Sequence, residues 1–263
     1  MDLVQSALAL LSGSLVGFTL GLIGGGGSIM ATPLLLYVVG LAPHAAIGTG
    51  ALAVSVNAFA NFAGHARSGN VQWRNAILFA IIGMAGAAAG STLGKTFNGQ
   101  RLLFLFAILM VVVGVLMLRR GRARVKPGEI EAEGGRSSLV RVAGAALAVG
   151  ALSGFFGIGG GFLIVPGLLF STGMPMIQAV GSSLLAVGTF GLTTAANYAL
   201  SGLIDWLVAA EYIVGGIAGG LIGLRLAVLL APRKAALNQV FAAFVFVVAA
   251  YMLYRNAAAL GIG

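Results

Sequence analysis

Two clusters of glycine give this chain its clearest chemical capacity. Gly24, Gly25, Gly26, Gly27 and Ser28 interrupt one long apolar stretch, and Gly157, Ile158, Gly159, Gly160 and Gly161 interrupt another. Backbone that leaves a helix inside a bilayer exposes amide groups that lipid cannot satisfy, so it persists only within protein or beside a water-filled cavity. Helices predicted to resume near Ser28 and near Phe162 aim free N–H groups and the positive ends of their dipoles at the breaks. Glycine lets a ligand come close to the backbone. Gly25, Gly26, Gly27 and Ser28, with Gly159, Gly160 and Gly161, are therefore predicted to cradle an anion without a buried Lys or Arg. Glycines can instead serve close helix packing, the role expected of the spaced pairs Gly86 with Gly90 and Gly219 with Gly223.

Neutral groups follow each break. Thr49, Ser182 and Ser183 stand at matching places near helix starts, where a hydroxyl either donates to an oxyanion or bonds back to its own helix. Asn57 and Asn61 lie one turn apart on one face, and Asn197 lies at a comparable depth further on. An amide in hydrocarbon needs a partner, so these three face a cavity or another helix. Glu211 is the best candidate for a proton-coupling carboxylate, the alternative being an interfacial position. Two His, six acids and no Cys give no acid, base and nucleophile constellation, so an enzyme is not expected. The absence of Cys also excludes thiolate metal sites.

The elements that position these residues belong to a membrane. Of 263 residues 59% are hydrophobic and only 8% charged, and mean hydropathy is +1.05. That leaves too little polar surface to solvate a globule. Spanning segments are predicted over residues 43–64, 75–94, 102–118, 174–197, 207–228 and 236–254, each near the length a helix needs to cross hydrocarbon. The stretches 3–40 and 142–173 are too long for one helix and are expected to break at their glycines. Seven of the fifteen Lys and Arg behind the formal charge of +9 lie in residues 119–141, a basic loop without the aromatic platforms of nucleic-acid binding. The first apolar segment lacks a basic leader and is expected to be retained.

Sliding the sequence on itself by 133 residues aligns residues 17–93 with 150–226. Pro33 falls on Pro166, Gly48 on Gly181, Trp73 on Trp206, and Gly83, Gly86 and Gly90 on Gly216, Gly219 and Gly223. This is an internal duplication. If each broken stretch folds back as a hairpin, the copies are inverted; if each crosses once, they are parallel. Inversion gathers Arg67, Arg74, the cations of the central loop, Arg225, Arg233 and Lys234 on one face, leaving Lys95, Arg101 and Arg255 opposite. The positive-inside tendency favours that arrangement. The expected fold is thus an all-α polytopic membrane protein of two homologous inverted repeats, each a Gly-broken helical hairpin plus three spanning helices. Residues 1–118 and 142–263 form the repeats and 119–141 a cytoplasmic loop, with both termini periplasmic. Small-residue stripes serve packing within one chain or homodimerisation alike.

Residues 21–33, GLIGGGGSIMATP, followed by 46–50, AIGTG, resemble a signature of the sulfite exporter TauE/SafE family, also called the 4-toluene sulfonate uptake permeases. Residues 154–166, GFFGIGGGFLIVP, followed by 179–183, AVGSS, resemble the same signature, although the first copy has Gly50 where the second has Ser183. The resemblance implies a permease of the bacterial inner membrane for sulfite, thiosulfate or organosulfonates, binding between the repeats and without a cofactor. The expected function is alternating-access transport of such an anion. The alternatives are an anion channel or uniporter without ion coupling, and a membrane scaffold that transports nothing.

Overall fold

A computed structural model describes residues 3–23, 25–120, 136–157, 159, 161–229 and 246–255. Among them every regular element is helical. The order is α1 (Leu3–Ile23), a 3-10 segment (Gly25–Met30), α2 (Ala31–Tyr37), α3 (Pro43–Arg67), α4 (Trp73–Thr96), α5 (Gly99–Arg120), α6 (Arg136–Phe156), α7 (Gly161–Thr172), α8 (Met176–Ala199) and α9 (Trp206–Leu229). A further helix, α10 (Phe246–Arg255), follows. Helix thus continues through residues 119–120 and 136–141, which the sequence reading gave to the central loop. Residues 121–135, and 236–245 of the last predicted span, lie outside the described residues.

Six of these helices, α1, α3, α4, α6, α8 and α9, are long and apolar enough to cross a bilayer, so the chain is a multi-pass membrane protein. Its surface agrees. Ile81, Leu221 and Val140 point outward, while Ser28, Thr49, Asn57 and Ser182 are fully buried. That distribution suits a solvent of hydrocarbon, in which the polar side chains are the ones to gather inside.

Lipid tails are as apolar as leucine, so close approach of small residues has to hold the helices together. Gly13, Gly17 and Gly21 of α1 lie against the backbone of Tyr212, Gly216 and Gly220 of α9, and a Cβ on any of them would overlap it. Gly86 and Gly90 of α4 meet Leu147 and Ala151 of α6 in the same way, and Gly83 makes room for the Phe190 ring of α8. Gly219 and Gly223 pack on Ser14 and Phe18, the role expected of spaced glycines.

The helices recur at the spacing of the internal repeat. α1 and α6, α3 and α8, and α4 and α9 each begin 133 residues apart. Left-handed glycines recur with them, Gly40 with Gly173 and Gly69 with Gly202. Leu10, Ser14 and Phe18 lie opposite Gly215, Gly219 and Gly223, so α1 and α9 run in the same direction. So do α6 and α4, with Leu147, Ala151 and Phe155 opposite Gly86, Gly90 and Gly94. By contrast α3 and α8 are antiparallel: Gly48 lies beside Tyr198, Gly191 beside Ser55, and Gly181 beside Asn70. After α2 the chain is back at the start of α1, where Gln5 Nε2 donates to the Val39 carbonyl at 3.1 Å.

Candidate functional site

The crossing of α3 and α8 is the centre of the molecule. Ser55 Oγ donates there to the Gly188 carbonyl at 2.6 Å, and these two residues hold equivalent places in the repeat. The second break reaches this point. Gly157 and Gly159 have φ of 65° and 67°, which an L side chain rarely adopts, so the turn needs glycine at both. A Cβ on Gly159 would stand 3.0 Å from Val54 Cγ1 and 3.5 Å from Val187 Cγ1, again an equivalent pair. Helix resumes at Gly161, close to the predicted Phe162.

The first break is built differently. The chain does not resume an α-helix at Ser28; it tightens into the 3-10 segment Gly25–Met30 and becomes α-helical only at Ala31. Consecutive glycines favour the α conformation poorly, and a short 3-10 run is the usual connector at such an end. The segment packs on α1, α7 and α8, bringing the first break against the helix that follows the second. Gly27 lies on Leu20 and Thr19 of α1, and Ser28 is fully buried. Gly25 and Gly26 lie in the same segment, whereas Gly24, Ile158 and Gly160 are outside the described residues. Gly50, where the other copy has Ser183, packs under Leu35 and Thr32 of α2.

The remaining predicted residues divide into three groups. Thr49 Oγ1 accepts from the Asp205 N–H at 3.0 Å, and Ser182 Oγ accepts from the Gln72 N–H at 2.9 Å. These are one contact seen twice: each hydroxyl holds the residue that precedes α9 or α4, the partner lying in the other half. Ser183 bonds back to Val180. Asn197, at the end of α8, donates to Ser91 and Thr92 of α4, and its side-chain and main-chain oxygens both accept from Lys95 Nζ. Asn57 is fully buried at mid-helix with neither its Nδ2 nor its Oδ1 bonded, and Asn61 Nδ2 donates to the Asn57 carbonyl. Glu211 is half-buried on α9 with Oε2 buried and unbonded. Among the described residues no three His, Asp or Glu lie together as a metal site requires.

A doubled Gly-broken segment, meeting its copy at the core of a multi-pass helical protein, is matched by one family over residues 9–252, described as sulfite exporter TauE/SafE. The chain belongs to the sulfite exporter TauE/SafE family. Its TauE/SafE relatives include a probable membrane transporter protein of Xylella fastidiosa, 55% identical over 98% of both chains. The probable membrane transporter protein YunE of Bacillus subtilis is 27% identical over 80% of this chain and 84% of its own. One from Methanocaldococcus jannaschii is 28% identical over 74% and 71%. No solved structure matches.

For this TauE/SafE chain the sequence reading missed the bonds that join its halves. The pairing of Thr49 with Asp205 and of Ser182 with Gln72 was signalled only by the fact that all four positions map onto one another in the repeat. It also missed Tyr198 and Tyr212, fully buried with unbonded hydroxyls, and the glycines that make room for amides. A Cβ on Gly216 would overlap the Asn57 side chain, and one on Gly220 would lie 3.0 Å from Asn61 Nδ2.

Proposed function

We propose that this membrane transporter carries a small sulfur-containing anion, such as sulfite, thiosulfate or an organosulfonate, by alternating access across a bacterial inner membrane. The single observation that carries the reading is the packing of the first break against the helix that follows the second, whose own glycine turn stands at the α3–α8 crossing, without a metal-type cluster among the described residues. Backbone N–H groups of the 3-10 segment and of the start of α7 supply the donors, with Gly25, Gly26, Gly27, Ser28, Gly159, Gly160 and Gly161 as the cradle. Three oxygens of a sulfonate or sulfite can be shared between two such ends. Thr49 and Ser182 already hold backbone partners, so the cradle is drawn from the breaks and Asn57. A half-open apolar groove of about 200 Å³ beside Met30, lined by Pro33, Tyr37 and Tyr251, offers an organic tail an apolar wall.

The antiparallel course of α3 and α8, with the return of α2 to the start of α1, supports two inverted repeats about the Ser55–Gly188 contact. The charge bias then assigns both termini to the periplasm and the central loop to the cytoplasm. The reading is of a transporter and not of an enzyme, with no cofactor.

Purified protein screened against sulfite, thiosulfate, sulfoacetate, taurine and aromatic sulfonates should show a rise in melting temperature with at least one of them. Gly27→Val and Ser28→Ala should abolish or weaken that rise, whereas Gly144→Ala, where a Cβ meets nothing within 4 Å, should keep it. No stabilisation by any sulfur anion would leave the scaffold reading standing. The scarcity of carboxylates in the spans favours an uncoupled channel or uniporter as the second reading. Flux that is unchanged by a proton gradient and by Glu211→Gln would select it.

A further inference from the structure

The repeat equates α9 and α3 with α4 and α8, and the two pairs are fastened unequally. They share one bond, from the N–H of the residue before α4 or α9 to Ser182 or Thr49. Between α4 and α8, side-chain bonds are added at both ends. Where the helices start, Gln72 Nε2 donates to Gln178 Oε1 at 3.2 Å, and Asn75 Nδ2 of α4 holds Gln72 by its Oε1. Where they end, Lys95 Nζ donates to the Asn197 carbonyl at 3.0 Å, to Asn197 Oδ1 at 2.6 Å and to Ser201 Oγ at 2.8 Å. Asn197 Nδ2 donates in return to Ser91 Oγ at 2.7 Å and Thr92 Oγ1 at 2.9 Å. Lys95 thus lies at the C-terminal ends of both helices, where a cation is favoured. Midway, the Phe79 and Phe190 rings stack with centroids 6.2 Å apart.

At the matching positions of α3 and α9 these groups are replaced. Ala45 stands for Gln178, Gly64 for Asn197, Leu224 for Ser91, Arg225 for Thr92 and Val228 for Lys95. Asp205, in the place of Gln72, uses its Oδ1 to accept from the Val208 N–H of the helix it precedes. Ser68, in the place of Ser201, donates to the Gly64 carbonyl of its own helix. A Cβ on Gly64 would lie 3.2 Å from Leu224 Cδ2, so this end of the pair meets through leucine against backbone. Asn57 takes the place of Phe190 and lies on Gly216, while Asn61 Nδ2 is spent on the Asn57 carbonyl of its own helix. A hydrogen bond weakens steeply with angle and so resists sliding, whereas one apolar contact can be exchanged for the next.

We propose that α4, α6 and α8 move as one body in transport and that the movement between access states falls at the α3–α9 seam, where α9 shifts past α3 together with α1. Lys95, Asn197, Gln72 and Gln178 are then positioning residues, which keep α8 on α4. Glycine packing joins α9 to α1 as it joins α4 to α6. The division holds whichever solute is carried.

Cysteine pairs at equivalent exposed positions test it, and the chain brings no cysteine of its own. Ala88→Cys with Ala196→Cys spans α4 and α8, and Leu221→Cys with Ala63→Cys spans α9 and α3 at the matching places. In proteoliposomes of the full chain assayed with sulfite and thiosulfate, a short bifunctional methanethiosulfonate bridge across α3–α9 should lower flux at least about tenfold, reversibly in dithiothreitol, whereas the bridge across α4–α8 should change it less than about twofold. Flux stopped by the α4–α8 bridge, or spared by a formed α3–α9 bridge, overturns the proposal. Spin labels on the same pairs in lipid nanodiscs give a readout that needs no solute. The α4–α8 pair should show one narrow distance and the α3–α9 pair two distances or a spread, as sliding of about 1–5 Å produces. Removing both end clamps with Lys95→Met and Gln178→Ala should spread the α4–α8 distance and leave the α3–α9 distance as it was. Equal spreads in the two pairs, or an α4–α8 distance indifferent to loss of both clamps, likewise overturn it. A protein that moves neither anion counts against the sulfur reading alone, and the spin-label distances then decide the seam.

Discussion

Replacing Thr49 by Val and Ser182 by Ala tests whether the two halves are fastened by a repeated bond. Each hydroxyl is fully buried and accepts a backbone N–H of the other half, from Asp205 at 3.0 Å and from Gln72 at 2.9 Å. Val has the shape of Thr, so Thr49→Val removes the acceptor with little change of volume and leaves the Asp205 N–H without it. Loss of one partner of a part-buried hydrogen bond costs about 1–2 kcal/mol. In a chain of this size that corresponds to a drop of roughly 2–8 °C in melting temperature. The reporters are already in place, because the two tryptophans, Trp73 and Trp206, directly follow Gln72 and Asp205. Intrinsic fluorescence during thermal unfolding in detergent should show Thr49→Val perturbing Trp206 in a Trp73→Phe background. Ser182→Ala should perturb Trp73 in a Trp206→Phe background. The contacts sit at the starts of antiparallel helices, far enough apart for their effects to add in the double variant. A double variant no less stable than the worse single, or singles that melt with the parent, would refute the fastening.

Three other perturbations follow from the packing. Gly17→Ala forces a methyl onto the Gly216 carbonyl and should destabilise by about 1–3 kcal/mol, whereas Gly144→Ala should leave melting unchanged or raise it. Lys95→Met removes three bonds to neutral acceptors, Asn197 and Ser201, and should lower melting by the same amount in low and high salt, since no carboxylate is involved. Asn57→Leu, near in volume but without polar atoms, should raise melting temperature by a few degrees while slowing solute flux in proteoliposomes, the exchange expected where a destabilising group is kept for function.

Much of this architecture was legible because duplication writes the same signal twice. The 133-residue offset, with its paired Pro and Trp, marked a duplication, and the structure starts its paired helices 133 residues apart, while the glycine clusters marked both interruptions of the long apolar stretches. What stayed hidden is non-local. Spacing put Asn197 at a suggestive depth but could not reveal that Lys95 and Ser91, on another helix, would take its amide. Thr49 and Ser182 looked like ligands because a hydroxyl near a helix start can serve many acceptors and donors, and only packing selects one. The first break deviated from expectation for a local reason: Gly25, Gly26 and Gly27 give no side-chain support to an α turn, and the chain takes the tighter 3-10 course to Met30. Sequence also made the two halves look interchangeable at their centres, and the contrast of Asn57 with Phe190 emerges only when each is seen against its opposing glycine.

The exchange of partners, α1 with α9 and α6 with α4, governs how the protein can be made. Helix α1 has its glycine face matched by α9, a helix of the other half that is synthesised much later, so it must wait in lipid, held by its own hydrophobicity, until the second half arrives. Neither half can mature alone. Produced separately in one cell the two pieces should find each other and accumulate, and either piece without the other should be cleared by membrane proteases.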